Sequence, residues 1–177
     1  MPRPISAASS ATARWRTRST SRFCHDDPAA AAGERAPIGA LLDAYAAEMR
    51  GVLTGDAALA PGAALEMLQP DARTEVLAAF EGEEALGFAL FFDLPEVVFA
   101  RRCGQLDDLF VRAEARGKGI ARRMIGELQT LGRQRNWTHL RWFVPPEDHA
   151  ALALYQRIAE EPGWRSFILR LDPAASL

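Results

Sequence analysis

The feature that most constrains this chain is the stretch from residue 105 to residue 122. An apolar strand with two acidic residues runs there into a basic turn, and an amphipathic helix begins near the turn's second glycine. Backbone amides at a helix start have no intrahelical partner, and the helix dipole adds partial positive charge there. The turn combines two residues without side-chain bulk and three cations: Gly117 and Gly119, with Arg116, Lys118 and Arg122. The stretch therefore predicts a phosphate-binding site.

Composition excludes several other classes of protein. The chain has 177 residues, a net charge of −2 and a sequence pI of about 5.9, so we expect one domain and no nucleic-acid partner. It contains no apolar run of the roughly 18 residues that a membrane span needs, and we expect no membrane partner and a cytoplasmic location. Cys24 and Cys103 are far apart and the histidines are scattered, so we expect no metal site.

The first 34 residues differ in composition from the rest. Residues 1–22 contain arginine, serine, threonine and alanine but no acidic residue, which resembles an organellar targeting peptide. The alternative that we adopt is a disordered tail, or an extension upstream of the true start, followed by a linker over 23–34. The sequence thus predicts a disordered extension over 1–34 and one folded domain over 35–177.

Periodicity and turn residues in the folded part predict a mixed α/β sheet flanked by helices on both faces. The predicted elements are a helix from Pro37 to Gly51, a short helix from Ala63 to Leu68, a hairpin of strands 74–80 and 85–92, an irregular connection over 96–103, a strand over 105–112, a helix over 117–135, a strand over 139–144, a helix capped by Asp148 and a last strand from Trp164 to Leu171.

The spacing of the basic turn excludes two common phosphate motifs. A P-loop needs four residues between its first glycine and Gly-Lys-Ser/Thr, and a dinucleotide fingerprint needs glycine where Arg122 stands. The run from Arg116 to Ala121, Arg-Gly-Lys-Gly-Ile-Ala, resembles instead the Arg/Gln-x-x-Gly-x-Gly/Ala signature of the GNAT N-acetyltransferases.

This resemblance implies the GNAT fold over roughly residues 37–171, with acetyl-CoA as co-substrate. In that family the strand before the turn splays from its neighbour to receive the pantetheine arm, and turn amides hold the CoA pyrophosphate. The residues that the resemblance implies for cofactor binding are Leu109, Phe110, Val111, Arg116, Gly117, Lys118, Gly119, Ile120, Ala121 and Arg122.

Three further segments resemble the spermidine/spermine acetyltransferases and their bacterial diamine relatives. They are Leu106-Asp-Asp-Leu-Phe-Val111, Leu154-Tyr155 and Glu161-Pro-Gly-Trp164-Arg-Ser-Phe167. The connection from Tyr155 to Trp164 is shorter than in that sub-family, and Ala159 and Asp148 stand where glycine and asparagine are usual. The resemblance also implies a possible homodimer.

The two acids in the strand indicate a site by a separate argument. Regular alternation would put Leu106, Asp108 and Phe110 on one face and Asp107, Leu109 and Val111 on the other. A buried carboxylate needs a partner, so we expect a bulge near the acids or a cleft that reaches them. The alternative is that the acids are satisfied by Arg101, Arg102 or Arg141.

The chemistry of acetyl transfer assigns a role to each candidate. A primary amine is only about one part in a few thousand neutral at pH 7, so Asp107 or Asp108, directly or through water, is expected to accept its proton and to attract a cationic substrate. The Val111 amide is expected to polarise the thioester carbonyl. The resemblance implies that Tyr155 protonates the leaving thiolate and that Trp164 lines the substrate pocket. For each of these two residues, a purely structural role in the core is the alternative.

The sequence therefore predicts an N-acetyltransferase in which a small, cationic primary amine, such as a polyamine, diamine or amino acid, attacks acetyl-CoA directly in a ternary complex. Three alternatives stay open. In the first, the acceptor is an antibiotic amine or a protein amine. In the second, the chain is a non-catalytic regulator that binds acetyl-CoA. In the third, the turn binds another nucleotide.

Overall fold

The computed structural model of the chain describes residues 16–20, 28–53, 60–68, 73–163 and 165–169. In chain order the elements are β1 (Arg16–Thr20), α1 (Pro28–Leu53), α2 (Ala63–Leu68), β2 (Thr74–Glu81), β3 (Glu84–Glu96), β4 (Arg101–Val111), α3 (Ile120–Gln134), β5 (Trp137–Arg141) and α4 (His149–Tyr155). A single 3-10 turn over Ala113–Ala115 connects β4 to the basic turn.

The strands form one sheet in the order β1-β2-β3-β4-β5. Neighbours from β1 to β4 pair antiparallel, whereas β4 and β5 are parallel and are joined through α3. Helices α1 and α2 pack on one face of this sheet, against a core that includes Phe88 and Phe110. Helix α3 packs on the other face, with Leu106. The predicted mixed sheet between helices is confirmed.

Helix α3 is held by the apolar face that its sequence predicts. Ile120, Met124, Ile125 and Leu128 recur at helical spacing and are all buried against the sheet. Burying a side chain of this size contributes about 1.5 to 3 kcal/mol relative to leaving it exposed. The helix begins at Ile120 rather than at residue 117, so the predicted first turn of helix belongs to the glycine turn itself.

A tryptophan fixes the spacing between β4, β5 and α3. The Trp137 ring lies against Gly104 of β4 and Gly132 of α3, and a Cβ placed on either glycine would come within 2.6 Å of the ring atom Cε3. Only glycine leaves room for the ring at these two positions. The packing fixes the distance between β4 and β5 where they are paired, just before they separate.

The structure differs from the N-terminal prediction in two described segments. Strand β1 lies within the segment predicted to be disordered, and α1 begins at Pro28 and crosses the predicted domain boundary between 34 and 35. The edge of β2 supplies the ladder that orders β1, and the alanine run after Pro28 has high helix propensity. Residues 1–15 and 21–27 of this prediction lie outside the described residues.

Two further boundaries differ from the predictions. Helix α1 contains Pro37 and Gly51, which were expected to start and end it. Strands β3 and β4 are longer than expected, because the irregular connection predicted over 96–103 is a hairpin with its turn at 97–100. Pro95 is tolerated in β3 because β2 begins opposite Phe92, so that within the described residues no strand pairs with that edge of β3 beyond Phe92.

The last predicted strand is absent from the described part of the chain. Residues 165–169 form no strand, and Phe167, Ile168 and Leu169 are exposed. An apolar run becomes a strand only where a neighbour supplies a hydrogen-bond ladder, and sequence pattern alone does not show whether a neighbour is available. Residues 164, 170 and 171 lie outside the described residues. Within the regions described, no helix has both the length and the apolar character needed to cross a bilayer.

Candidate active site

The site lies where β4 and β5 separate. Their pairing ends at Gln105 and Arg141, but β4 continues to Val111 and stays paired with β3 as far as Gly87. The edge of β4 from residue 106 to 111 that faces away from β3 therefore has no strand partner within the described chain. This separation agrees with the splayed strand that the family resemblance implies.

The main chain of Val111 points into this opening. The Arg112 amide donates to the Leu86 carbonyl at 2.9 Å, so Arg112 bonds towards β3. Because successive residues of a strand direct their backbone groups to opposite edges, the Val111 amide and carbonyl face away from β3. The Val111 carbonyl accepts from Arg116 Nε at 2.9 Å, on the side of the basic turn. An N–H donor is thus directed to the open edge of the sheet.

A bulge in β4 gives the two adjacent acids, Asp107 and Asp108, different surroundings. Leu90 pairs with Asp108 and Phe91 with Leu106, so Asp107 is the extra residue and is exposed. The expected bulge near Asp107 and Asp108 is confirmed, and it breaks the regular alternation of faces at Leu106. Leu106 belongs to the core on the α3 face, whereas Asp108 is turned towards α1.

Asp108 is bound by a residue that sequence reasoning did not select. The Tyr45 hydroxyl on α1 donates a short hydrogen bond to Asp108 Oδ1. Burial raises the pKa of Asp108, the Tyr45 hydrogen bond opposes this rise, and the charge of Asp107 adds to it. Burial also raises the pKa of Tyr45 above its ordinary range, and the hydrogen bond to Asp108 and then the charges of both acids reinforce this. The pair keeps a carboxylate half-buried beside the opening.

One feature of the sequence could have identified Tyr45 as a residue of the site. It lies on the apolar face of α1, where its ring contacts Phe88 edge-to-face with the centroids 5.5 Å apart, and a phenol in such a place needs a polar partner. The arginine partners expected for the acids are bound elsewhere. Arg101 donates to Asn136, Arg102 to Asp93 and Arg141 to Gln105, so this alternative is wrong.

The glycine turn has the open geometry that an anion site requires. Gly117 and Gly119 have φ values of 74° and 79°, which disfavour any side chain, and a Cβ on either would meet no atom within 4 Å. Gly119 caps α3 without a side-chain hydrogen bond, so the first amides of the helix are not covered from within. Lys118 and Arg122 are exposed on the same turn. These groups fit the phosphates of CoA.

The Arg116 side chain of the same turn has partners within the protein. Its guanidinium donates to both oxygens of Glu48 on α1, at 2.9 and 2.8 Å, in addition to the Val111 carbonyl. It also lies 5.7 Å from the centroid of the Phe110 ring. Three protein contacts hold the Arg116 side chain in place and join the turn to α1.

The remaining candidates for cofactor binding differ in how far their side chains are buried. The side chains of Phe110 and Ile120 are buried in the cores of opposite sheet faces, so only their main chains can meet a ligand. Leu109, Val111 and Ala121 are half-buried. Leu109 and Val111 lie at the margin of the core that α3 covers.

Tyr155 lies on that same face of the sheet. It ends α4, whose N-cap Asp148 accepts from the Ala151 amide at 2.9 Å, as the sequence predicted. Its ring packs edge-to-face on Trp142 with the centroids 5.2 Å apart, beside the core that Leu109 and Val111 adjoin. Burial, and then the charge of Asp148, raises the pKa of Tyr155, so its hydroxyl keeps its proton at neutral pH. Trp164 lies outside the described residues.

Comparison with known proteins agrees with this geometry. The family model described as "Acetyltransferase (GNAT) family" matches residues 40–159. A thialysine N-epsilon-acetyltransferase of Caenorhabditis elegans is 32% identical over 105 residues. That match covers 55% of this chain and 62% of the relative, so the chain spans less than two thirds of the relative's length.

Solved structures show the same architecture. A ribosomal-protein-alanine N-acetyltransferase from Brucella melitensis biovar Abortus 2308 superimposes with a TM-score of 0.71 at 26% identity, covering 89% of this chain and all of that one. An aminoglycoside acetyltransferase from an uncultured soil metagenomic sample superimposes with a TM-score of 0.66 at 23% identity, covering 90% of this chain and 99% of the other. The second match carries information about the fold alone.

Proposed function

This chain belongs to the acetyltransferase (GNAT) family, and from that membership we propose that it transfers the acetyl group of acetyl-CoA to a primary amine of a small cationic molecule. The observation that carries the proposal is the opening between β4 and β5. There an unpaired strand edge, a half-buried carboxylate and an uncapped helix start lie along one segment from residue 106 to 122.

The glycine turn is proposed to bind the pyrophosphate of acetyl-CoA. The amides at the start of α3 donate to the phosphate oxygens, and Lys118 and Arg122 supply the positive charge. The pantetheine arm then lies along the open edge of β4. This brings the thioester carbonyl to the Val111 amide, which stabilises negative charge as it develops on the carbonyl oxygen.

The acids are proposed to prepare the amine. The attacking nitrogen must lose a proton, and the raised pKa of Asp108 makes its carboxylate a better acceptor near neutral pH than an ordinary aspartate. Asp107 is exposed at the bulge and attracts the cationic substrate. We assign Asp108 as the base, directly or through water, and Asp107 to substrate binding.

Tyr155 is proposed to complete the reaction. The neutral amine attacks the carbonyl carbon and forms the N–C bond. When the C–S bond then breaks, the electron pair leaves on the CoA sulfur, and the Tyr155 hydroxyl delivers a proton to it. The proton released by the new amide nitrogen returns to Tyr155 through solvent. A hydroxyl with a raised pKa is fully protonated before the step, as a general acid must be.

The choice of a cationic acceptor is supported by two features. Asp107 and Asp108 bring two carboxylates to the same strand, and the relative from Caenorhabditis elegans is named for acetylation of an N-epsilon amine. Polyamines, diamines and amino acids with a terminal amine are therefore the proposed acceptors. A cytoplasmic location and a homodimer complete the proposal.

A thiol-release assay tests the acceptor class. Acetyl-CoA is supplied with a panel of polyamines, diamines, basic amino acids, aminoglycosides and alanine-terminated peptides, and release of the CoA thiol is measured for each. We expect the highest kcat/KM for a small polyamine, diamine or amino acid. A preference for aminoglycosides or peptides would contradict this acceptor class while leaving acetyl transfer intact.

Calorimetry tests the cofactor separately. CoA is expected to bind, whereas ATP and NAD are expected to bind at least about tenfold more weakly, because they lack a pantetheine arm to lie along β4. Failure to bind CoA would overturn the proposal as a whole. CoA binding without turnover on any amine would favour the non-catalytic regulator.

A further inference from the structure

A second cluster of reactive side chains lies on the sheet away from the acetyl-transfer site. Glu96 at the end of β3, Cys103 on β4 and His139 on β5 come from three adjacent strands. A carboxylate oxygen, the thiol sulfur and a ring nitrogen of these residues all lie within 4.8 Å of one another. We call these three residues the strand-end triad.

The imidazole of the triad is oriented by the neighbouring threonine of β5. The Thr138 hydroxyl donates to the Arg102 carbonyl at 3.2 Å and lies 2.9 Å from His139 Nδ1. When the hydroxyl places its one hydrogen on the carbonyl, it accepts from Nδ1–H, and the lone pair of His139 is then on Nε2 and available to a metal ion. Metal-binding histidines commonly have such an outer hydrogen bond, which fixes the orientation of the ring.

The other two ligands are also oriented. The Val98 amide donates to Glu96 Oε1 at 3.1 Å, which holds the carboxylate against the hairpin turn and leaves Oε2 for another partner. Cys103 is only 1% exposed and is a free thiol within the part of the chain that the structure describes. A buried thiol beside an imidazole and a carboxylate is a ligand set for a thiophilic divalent ion.

We propose that the strand-end triad binds Zn²⁺ or a similar divalent transition-metal ion, with water as the fourth ligand. On binding, the Cys103 thiol loses its proton to solvent and coordinates as a thiolate, while His139 coordinates through a ring nitrogen and Glu96 through a carboxylate oxygen. The ion would join β3, β4 and β5 at their paired end. Cys103 precedes Asp108 by five residues on the same strand, which is roughly 16 Å along an extended chain, so the ion lies too far away to take part in acetyl transfer.

The test uses the full, untagged chain carrying Cys24→Ser and His25→Gln. These two substitutions remove an adjacent pair of potential ligands outside the triad. Titration with Co²⁺ is expected to give thiolate-to-metal charge-transfer absorption and tetrahedral ligand-field bands that saturate at one equivalent. Zn²⁺ is expected to displace the Co²⁺. Zn²⁺ at 100 times its Kd is expected to raise the melting temperature by about 5 to 10 °C.

Single substitutions assign the ligands. His139→Gln and Glu96→Gln are each expected to weaken Zn²⁺ binding by at least about tenfold, and Cys103→Ala is expected to abolish the charge-transfer band. His149→Gln, on α4, is the matched control and should leave binding unchanged. Should Cys103→Ala fail to fold, the His139 and Glu96 variants still decide the outcome. Absence of one-equivalent binding, octahedral Co²⁺ bands without charge transfer, or binding insensitive to these substitutions would each overturn the proposal.

Discussion

The two halves of β4 have different surroundings although they form one continuous strand. From Arg102 to Gln105 the strand is paired on both edges and packs against Trp137. From Asp107 to Val111 it has lost β5, contains a bulge and carries the acids. We call residues 102–105 the closed half of β4 and residues 107–111 the open half. The comparison shows that the closed half provides the rigid support. The open half gains its chemistry from the unpaired edge.

The sharpest test of this contrast compares the two acids of the open half. Asp108→Asn removes the proposed base without changing size, and we expect kcat/KM for the preferred amine to fall by about 10³-fold with CoA binding unchanged. Asp107→Asn is the matched control, expected to raise KM by a few-fold with little change in kcat. Equal losses of kcat/KM in both variants would contradict the assignment of Asp108 as the base and of Asp107 to substrate binding.

Tyr155 gives the next largest expected effect. Tyr155→Phe keeps the ring on Trp142 and removes only the hydroxyl, so turnover is expected to slow by about 10²-fold while calorimetric CoA binding is retained. Unchanged turnover would remove the proton-donor role. Trp142→Phe, which alters the supporting ring but not the hydroxyl, is expected to have the smaller effect on kcat.

The closed half is tested through its packing. Gly104→Val places a side chain against the Trp137 ring, with a Cβ 2.6 Å from Cε3, and is expected to lower the free energy of unfolding by about 3 kcal/mol. Gly126→Ala, in α3, meets no atom within 4 Å and is expected to raise it by up to about 1 kcal/mol. Urea denaturation measures both, and a tolerated Gly104→Val would contradict the rigid-support interpretation.

The glycine turn is tested by a pair of glycines with similar backbones. Gly119→Ala at φ 79° and Gly82→Ala at φ 62° are each expected to cost about 1 kcal/mol of stability. Only Gly119→Ala is expected to weaken CoA binding, by about tenfold, because Gly82 lies in the β2–β3 turn. Equal CoA affinity in the two variants would contradict the proposal that the glycine turn binds CoA.

The smallest effect concerns pH. Asp108 acts as a base only when ionised, so kcat/KM declines as the pH falls through its raised pKa. Tyr45→Phe removes the hydrogen bond that lowers this pKa, and the acidic limb of the profile is therefore expected to move to higher pH. Tyr45→Phe keeps the ring contacts with Phe88, so a limb that stays in place or moves to lower pH would contradict the assignment of Asp108.

Local pattern predicted the parts of the molecule that local chemistry determines. The glycine turn, the amphipathic α3, the parallel return to β5 and the bulge near Asp107 could all be inferred from spacing and composition. The Tyr45–Asp108 and Arg116–Glu48 contacts could not, because they join residues 63 and 68 positions apart and depend on how α1 lies across the sheet. Strand β1 escaped prediction for a similar reason, since its partner is the remote edge of β2.

The packing of Trp137 between Gly104 and Gly132 has a consequence for how the sequence can vary. A larger residue at position 104 or 132 requires a smaller side chain at position 137. A smaller side chain at 137 leaves a cavity unless both glycines are replaced by larger residues. Effects of substitution at these three positions are then strongly non-additive. Over evolutionary time, residues 104, 132 and 137 are free to change only as a set.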